Sequence, residues 1–203
     1  MCVSINNMNK RFFILMGRSG SGKGTQAALL QATLEDKGIK DVHHITTGGG
    51  FREFIQSGSY VANLSKEVND TGALQPEFLA VWAWANLFIN KLHGGETIIL
   101  DGAPRKPFEA SVLHSAITFL GYHDPVVIYL DATESVARKH IAGRGRDDDK
   151  NEADVTNRMN WFETDVLPTL DVYLHDPRYK VIHINANQTI DEVHKEILSK
   201  LDL

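Results

Sequence analysis

Residues 17–25 read Gly17-Arg18-Ser19-Gly20-Ser21-Gly22-Lys23-Gly24-Thr25, and they follow directly on the apolar run Phe12-Phe13-Ile14-Leu15-Met16. That run is apolar on both faces, as a buried central strand of a parallel sheet must be. An amphipathic stretch follows from Lys23 to Lys37, with Gly38 as its stop signal. A strand, a glycine-rich turn and a helix in that order constrain the fold strongly. Glycines let the backbone adopt positive φ and approach a ligand without an intervening Cβ. The resulting run of N–H groups, ending at a helix N-terminus, forms a concavity that binds anions. Lys23 adds a mobile positive charge for β- and γ-phosphates, and Thr25 or a neighbouring hydroxyl can ligate Mg²⁺. Gly20, Ser21, Gly22, Lys23, Gly24 and Thr25 are therefore expected to hold a nucleoside triphosphate with its Mg²⁺. The loop does not say what becomes of the triphosphate, because ATPases, GTPases and kinases share it.

The rest of the chain alternates short β-branched or aromatic runs with longer amphipathic ones. Further strands are expected at Val42–Ile45, Thr97–Leu100, Val126–Leu130 and Val181–Asn185. Helices are expected near Pro76–Leu92, Pro107–Leu120, Thr133–Ala142, Ala153–Tyr173 and Thr189–Leu201. Five strands separated by helices predict an α/β fold with a doubly wound five-stranded parallel sheet. Ligands in such sheets sit at the carboxyl ends of the strands, so the loops leaving those strands are where chemistry is expected. A length of 203 residues fits one domain with small insertions.

A formal net charge of -5 gives no reason to expect binding to nucleic acid or an anionic membrane. Any bound anion must be held by a local cluster of basic groups. The one cysteine, Cys2, excludes an intramolecular disulfide and suits a reducing compartment. No apolar run approaches the about 18 residues of a membrane span. The first ten residues lack the apolar stretch of a secretory signal. A cytoplasmic protein is expected. The nine histidines show no metal-ligand spacing, and His183 reads as a hydrogen-bonded core histidine on a strand. Trp82 and Trp84 sit in a helix that is apolar nearly all round, and Trp161-Phe162 likewise reads as packing.

The segment Gly22-Lys23-Gly24-Thr25-Gln26 resembles the phosphate loop of the adenylate kinase family, and the similarity continues in order along the chain. His44-Ile45-Thr46-Thr47-Gly48 with Arg52 resembles that family's Ser-Thr-Gly-Asp-x-x-Arg segment, which holds the acceptor nucleotide. Gly72-Ala73-Leu74-Gln75-Pro76 resembles Gly-x-Leu-Val-Pro, which lies beside the acceptor base. Leu100-Asp101-Gly102-Ala103-Pro104-Arg105 is similar to Leu-Asp-Gly-Phe-Pro-Arg. Gly143-Arg144-Gly145-Arg146-Asp147-Asp148, with Arg158 beyond, resembles the short-lid form of the family's arginine cluster. Asn185-Ala186-Asn187 matches the loop behind the ATP adenine.

The resemblance implies a P-loop kinase with two small insertions, an acceptor-binding segment at about 48–74 and a short lid at about 141–151. It implies transfer of the γ-phosphoryl group of MgATP to a nucleoside monophosphate, with AMP as the acceptor and two ADP as products. The residue types suit that work. Two polyanions must be neutralised and aligned, and little covalent help is needed. Arginine's planar fork binds phosphate bidentately and keeps its charge. By the resemblance, Arg52 and Arg105 hold the acceptor phosphate, with Thr47, Gly48, Leu74, Gly102 and Glu109 around the acceptor. Lys23, Arg144, Arg146 and Arg158 surround the transferring group, and Asn187 and Gln188 back the ATP base. Asp101, at a strand's carboxyl end, orients Mg²⁺ through water. Short-lid relatives imply a monomer.

Five positions depart from the family pattern. Gly49 and Gly50 replace aspartate and leucine and are expected to loosen the helix start, at about 1 kcal/mol per interior glycine. Gln75 replaces valine, and Ala103 replaces an aromatic. Glu109 stands where glutamine reads the adenine edge; an ionised carboxylate only accepts hydrogen bonds and suits guanine's two donors. The alternatives are therefore the same mechanism with GMP, CMP or UMP, or a nucleotide-binding module without turnover.

Overall fold

The computed structural model describes residues 10–145, 149 and 151–203. Five parallel strands form one sheet: β1 (Phe12–Met16), β2 (Val42–Thr46), β3 (Thr97–Asp101), β4 (Val126–Asp131) and β5 (Lys180–Asn185). Their spatial order is β2-β3-β1-β4-β5, so β1 lies at the centre with its phosphate loop leaving the carboxyl edge. All five expected strands are present, each within a residue of its expected bounds. The doubly wound sheet read from the sequence is the fold.

The helices are α1 (Lys23–Asp36), α2 (Thr47–Gln56), α3 (Tyr60–Asp70), α4 (Glu77–Lys91), α5 (Pro107–Phe119), α6 (Glu134–Arg144), α7 (Glu152–Trp161), α8 (Leu167–Leu174) and α9 (Ile190–Lys200). The sheet's two faces bury different sets. Alternate residues of β1 show why: Phe12, Ile14 and Met16 face Trp84 and Phe88 of α4, Leu113 of α5 and Tyr173 of α8. Phe13 and Leu15 face Leu30 and Leu34 of α1 and Val193 and Ile197 of α9. This period of two, buried on both sides, is the packing that an uninterrupted apolar strand requires.

Three local expectations are corrected. The stretch Ala153–Tyr173, read as one helix, is three pieces: α7, a π-helical turn over Phe162–Val166, and α8. Pro168 lies in the first turn of α8. It lacks an N–H and its ring clashes with the carbonyl four residues back, so the chain widens one turn there. The second concerns Gly48-Gly49-Gly50, expected to loosen the helix start: they are helical and make up the first turn of α2. Tertiary ties outweigh their low propensity. Thr47 Oγ1 donates to Gly102 O at 2.9 Å, and Phe54 packs on Trp82 with ring centroids 4.9 Å apart. His183 is hydrogen-bonded on β5, to Asp131 at 2.9 Å, but it is exposed and not the core histidine expected.

Candidate functional site

A cavity of about 1010 Å³ opens at the carboxyl ends of the strands. Gly17, Gly20 and Gly22 of the phosphate loop all have positive φ. Gly20 admits no substitute: a Cβ there would lie 2.3 Å from the carbonyl oxygen of Ala137 on α6. Behind the loop, Arg18 pairs with Glu163 at 3.1 Å and stacks on Phe162 at 4.3 Å, which fixes the loop against the π-helical turn.

Lys23 Nζ curls into the mouth of the loop and donates to the carbonyls of Gly17 and Arg18 at 2.8 and 2.9 Å. Burial pushes its pKa down to about 8, Asp101 opposes that shift, and Arg105 and Arg144 add to it. A cation so destabilised is a strong seat for an anion. Asp101 lies opposite. A Cβ on Gly24 would stand 3.5 Å from Asp101 Oδ2, so the glycine leaves room beside the carboxylate. Asp101 and Thr25 both line the cavity. One carboxylate and one hydroxyl suit a hard ion that arrives on phosphates and keeps several waters. Among the described residues no group of three or more His, Cys, Asp or Glu side chains could hold a metal by itself. His44 of β2 stands 3.7 Å from Asp101.

Gly48 and Arg52 of α2 reach the same cavity, as do Gly102 and Arg105 beyond β3. Arg105 Nε donates to Gly102 O at 2.8 Å. Burial lowers the Arg105 pKa against the opposing pull of Glu109 and Asp101. A smaller adjoining cavity is lined by Thr47, Leu74, Gln75, Arg105 and Glu109. The structure thus brings every expected residue of this side to one of two neighbouring cavities.

Arg144 and Arg158 converge on one carboxylate. Arg144 donates to Asp149 through Nε at 2.5 Å and Nη2 at 2.8 Å, and Arg158 Nη1 donates at 2.7 Å. Burial works against the Asp149 carboxylate, but the two guanidiniums outweigh it and hold its pKa below the usual carboxylate range. Both arginines line the large cavity. Arg146 lies outside the described residues.

On the remaining wall Ala186, Gln188, Thr189, Ile190 and Val193 line the cavity. Asn187 does not. Its Oδ1 accepts from the Thr133 N–H at 2.8 Å and its Nδ2 donates to Asn185 Oδ1 at 2.9 Å, so its side chain braces the loop.

Two residues of the site were not legible as such in the sequence. Asp149 reads as one of a charged run, and its role depends on where two distant arginines end. Trp161 reads as packing, yet its ring lies 5.2 Å from the Arg105 guanidinium and its Nε1 donates to Gly72 O at 3.0 Å. Asn157 donates to Thr71 O at 2.8 Å from the same helix face. Gly72, at φ +65, could carry no side chain, since a Cβ would lie 2.5 Å from Asp154 O. The signal was present as spacing: Asp154, Asn157, Arg158 and Trp161 fall at i, i+3, i+4 and i+7 of one helix face.

The family model described as adenylate kinase matches residues 15–177. An adenylate kinase of Xanthomonas campestris pv. campestris is 33% identical over 189 residues, covering 91% of this chain and 95% of that protein. Adenylate kinase 1 of a Nostoc species is 30% identical over 191 residues, with 93% and 97% covered. An adenylate kinase of Bacteroides thetaiotaomicron is 29% identical over 192 residues, with 93% and 97% covered.

Proposed function

Because the chain belongs to the adenylate kinase family, we infer that it is an ATP-dependent phosphotransferase carrying the γ-phosphoryl group of MgATP to AMP. The observation that carries the reading is the convergence of Lys23, Arg52, Arg105, Arg144 and Arg158, from separate elements, on one cavity of an otherwise acidic protein. A site that only sensed ATP would have no need of cations on two sides.

Lys23 and the loop N–H groups take the β- and γ-phosphates of MgATP, with Asp101 and Thr25 facing its metal. Arg52 and Arg105 hold the acceptor phosphate in line. Arg144, Arg158 and, by the resemblance, Arg146 surround the group in transfer. They offset charge spread over its equatorial oxygens without forming a bond to it. Asp149 pairs with both arginines, so its carboxylate compensates the buried Arg158 and the partly buried Arg144. By the resemblance, the segment 48–74 and the lid expected at 141–151, of which 146–148 and 150 lie outside the described residues, close over the bound pair and exclude water, which would otherwise accept the phosphoryl group. One copy of the chain brings all these described groups to one cleft, which supports a monomer.

A coupled assay with MgATP against AMP, GMP, CMP, UMP and dTMP, with a no-acceptor control, tests the reading. Rapid transfer to AMP is the expected result. ATP binding with no transfer to any acceptor would refute it.

A further inference from the structure

The small cavity on the proposed acceptor side offers few free polar groups. Four polar side chains line the small cavity beside Arg105: Thr47, Gln75, Arg105 and Glu109. Thr47 is committed to Gly102 O at 2.9 Å. Gln75 is committed at both ends of its amide to Ser65 of α3, at 3.0 and 2.9 Å. Arg105 Nε is tied to Gly102 O. Glu109, in the first turn of α5, is only 2% exposed. Among the described residues its carboxyl takes one hydrogen bond, from the Arg105 N–H to Oε2 at 3.1 Å. Its remaining capacity faces a cavity of about 20 Å³, room for one water, so a base reaches Glu109 only once that cavity widens into the larger one beside it.

A neutral carboxylic acid offers one O–H donor and one carbonyl acceptor, the same pair as an amide. That pair matches adenine, whose Watson–Crick edge presents an amino donor beside a ring-nitrogen acceptor. An ionised carboxylate offers two acceptors, which match guanine's two N–H donors and oppose adenine's ring nitrogen. We propose that Glu109 sets the acceptor base through its own proton, the neutral acid reading AMP and the carboxylate reading GMP, an inference that rests on the phosphotransferase reading above.

The surroundings permit both forms. Burial favours the neutral acid and raises the Glu109 pKa. The Arg105 N–H, the Arg105 guanidinium and Lys106 favour the carboxylate, while Glu77 of α4 opposes it. Lys106 is itself shared with Glu77 at 3.5 Å. Tyr173, from α8, is kept neutral by burial, with the Glu109 charge adding to that effect.

The test compares wild type with Glu109→Gln, measuring acceptor KM and kcat for AMP and GMP from pH 6 to 9 at saturating MgATP. In wild type the AMP KM is expected to rise about tenfold per pH unit above the Glu109 titration, with kcat nearly unchanged and selectivity moving toward GMP. Glu109→Gln should hold a low AMP KM across the range and lose GMP use by tenfold or more. An AMP KM that is flat with pH and equal in both proteins would overturn the proposal while leaving the phosphotransferase intact. If neither protein transfers to either acceptor, calorimetry of AMP binding at pH 8, in buffers of different ionisation enthalpy, separates the two ideas. The AMP phosphate is already doubly ionised there. Proton uptake in wild type that is absent from Glu109→Gln would sustain the role of Glu109 although the transfer reading had failed. No uptake would overturn both.

Discussion

The two sides of the cleft are built by different means. The proposed donor side is mostly backbone: a glycine loop at the end of the central strand, a helix N-terminus and one lysine folded onto two carbonyls. The proposed acceptor side is mostly side chains held by other side chains and by carbonyls from distant elements. Thr47 is tied to Gly102, Arg105 lies against Trp161, and Glu109 sits under the Arg105 N–H. A backbone nest needs only glycines and their order, so it tolerates little change. An acceptor pocket assembled from pairwise contacts can be altered one residue at a time, and its departures Gly49, Gly50, Gln75, Ala103 and Glu109 are of that kind.

The sharpest way to break the contrast is at Lys23. Lys23→Met removes the cation folded into the phosphate loop and is expected to lower kcat about 100- to 1000-fold, with the melting profile retained. Near-normal turnover would mean that the backbone nest suffices alone. Arg105→Ala is the counterpart on the other side. It is expected to raise the acceptor KM and lower kcat, together costing about 100-fold in kcat/KM, while ATP binding stays within about twofold. Equal losses for both nucleotides would erase the division into two sides.

A titration refines the donor side. With its pKa at about 8, the unliganded Lys23 amine is mostly neutral near pH 9. A bound triphosphate favours the charged form and raises that pKa. MgATP binding should therefore take up a proton above about pH 8, and ATP affinity should fall as pH rises, by up to about tenfold per unit. Lys23→Arg keeps its charge throughout and should abolish both effects. Proton uptake undiminished in that variant would assign the titration elsewhere.

The same contrast explains what could be read from the chain beforehand. β1, the phosphate loop and α1 are contiguous, so period, glycine spacing and stop signal all act within thirty residues and agree with one another. The sheet followed from five such local agreements. What escaped notice was set by contacts remote in sequence. The three glycines of α2 stay helical because Gly102, more than fifty residues on, holds Thr47. Trp161 contacts Gly72 across 89 positions. The break at Phe162–Val166 is the exception, since Pro168 announced it and the helical period masked the signal.

The smallest effect is expected at Trp161, within the proposed acceptor side. Its indole makes two distinct contacts, a ring face toward Arg105 and an N–H bond to Gly72 O. Trp161→Phe keeps the face and removes the bond. Losing one partly buried hydrogen bond costs about 1 kcal/mol, so the acceptor KM should rise about three- to fivefold with the ATP KM unchanged. Trp161→Ala removes both contacts, and a further two- to fivefold rise would measure the ring's hold on the guanidinium. The two variants therefore separate anchoring of the 48–74 segment from orientation of Arg105. If neither moves the acceptor KM and both lower only the melting temperature, Trp161 is core packing, and Arg105 is positioned by its bond to Gly102 alone.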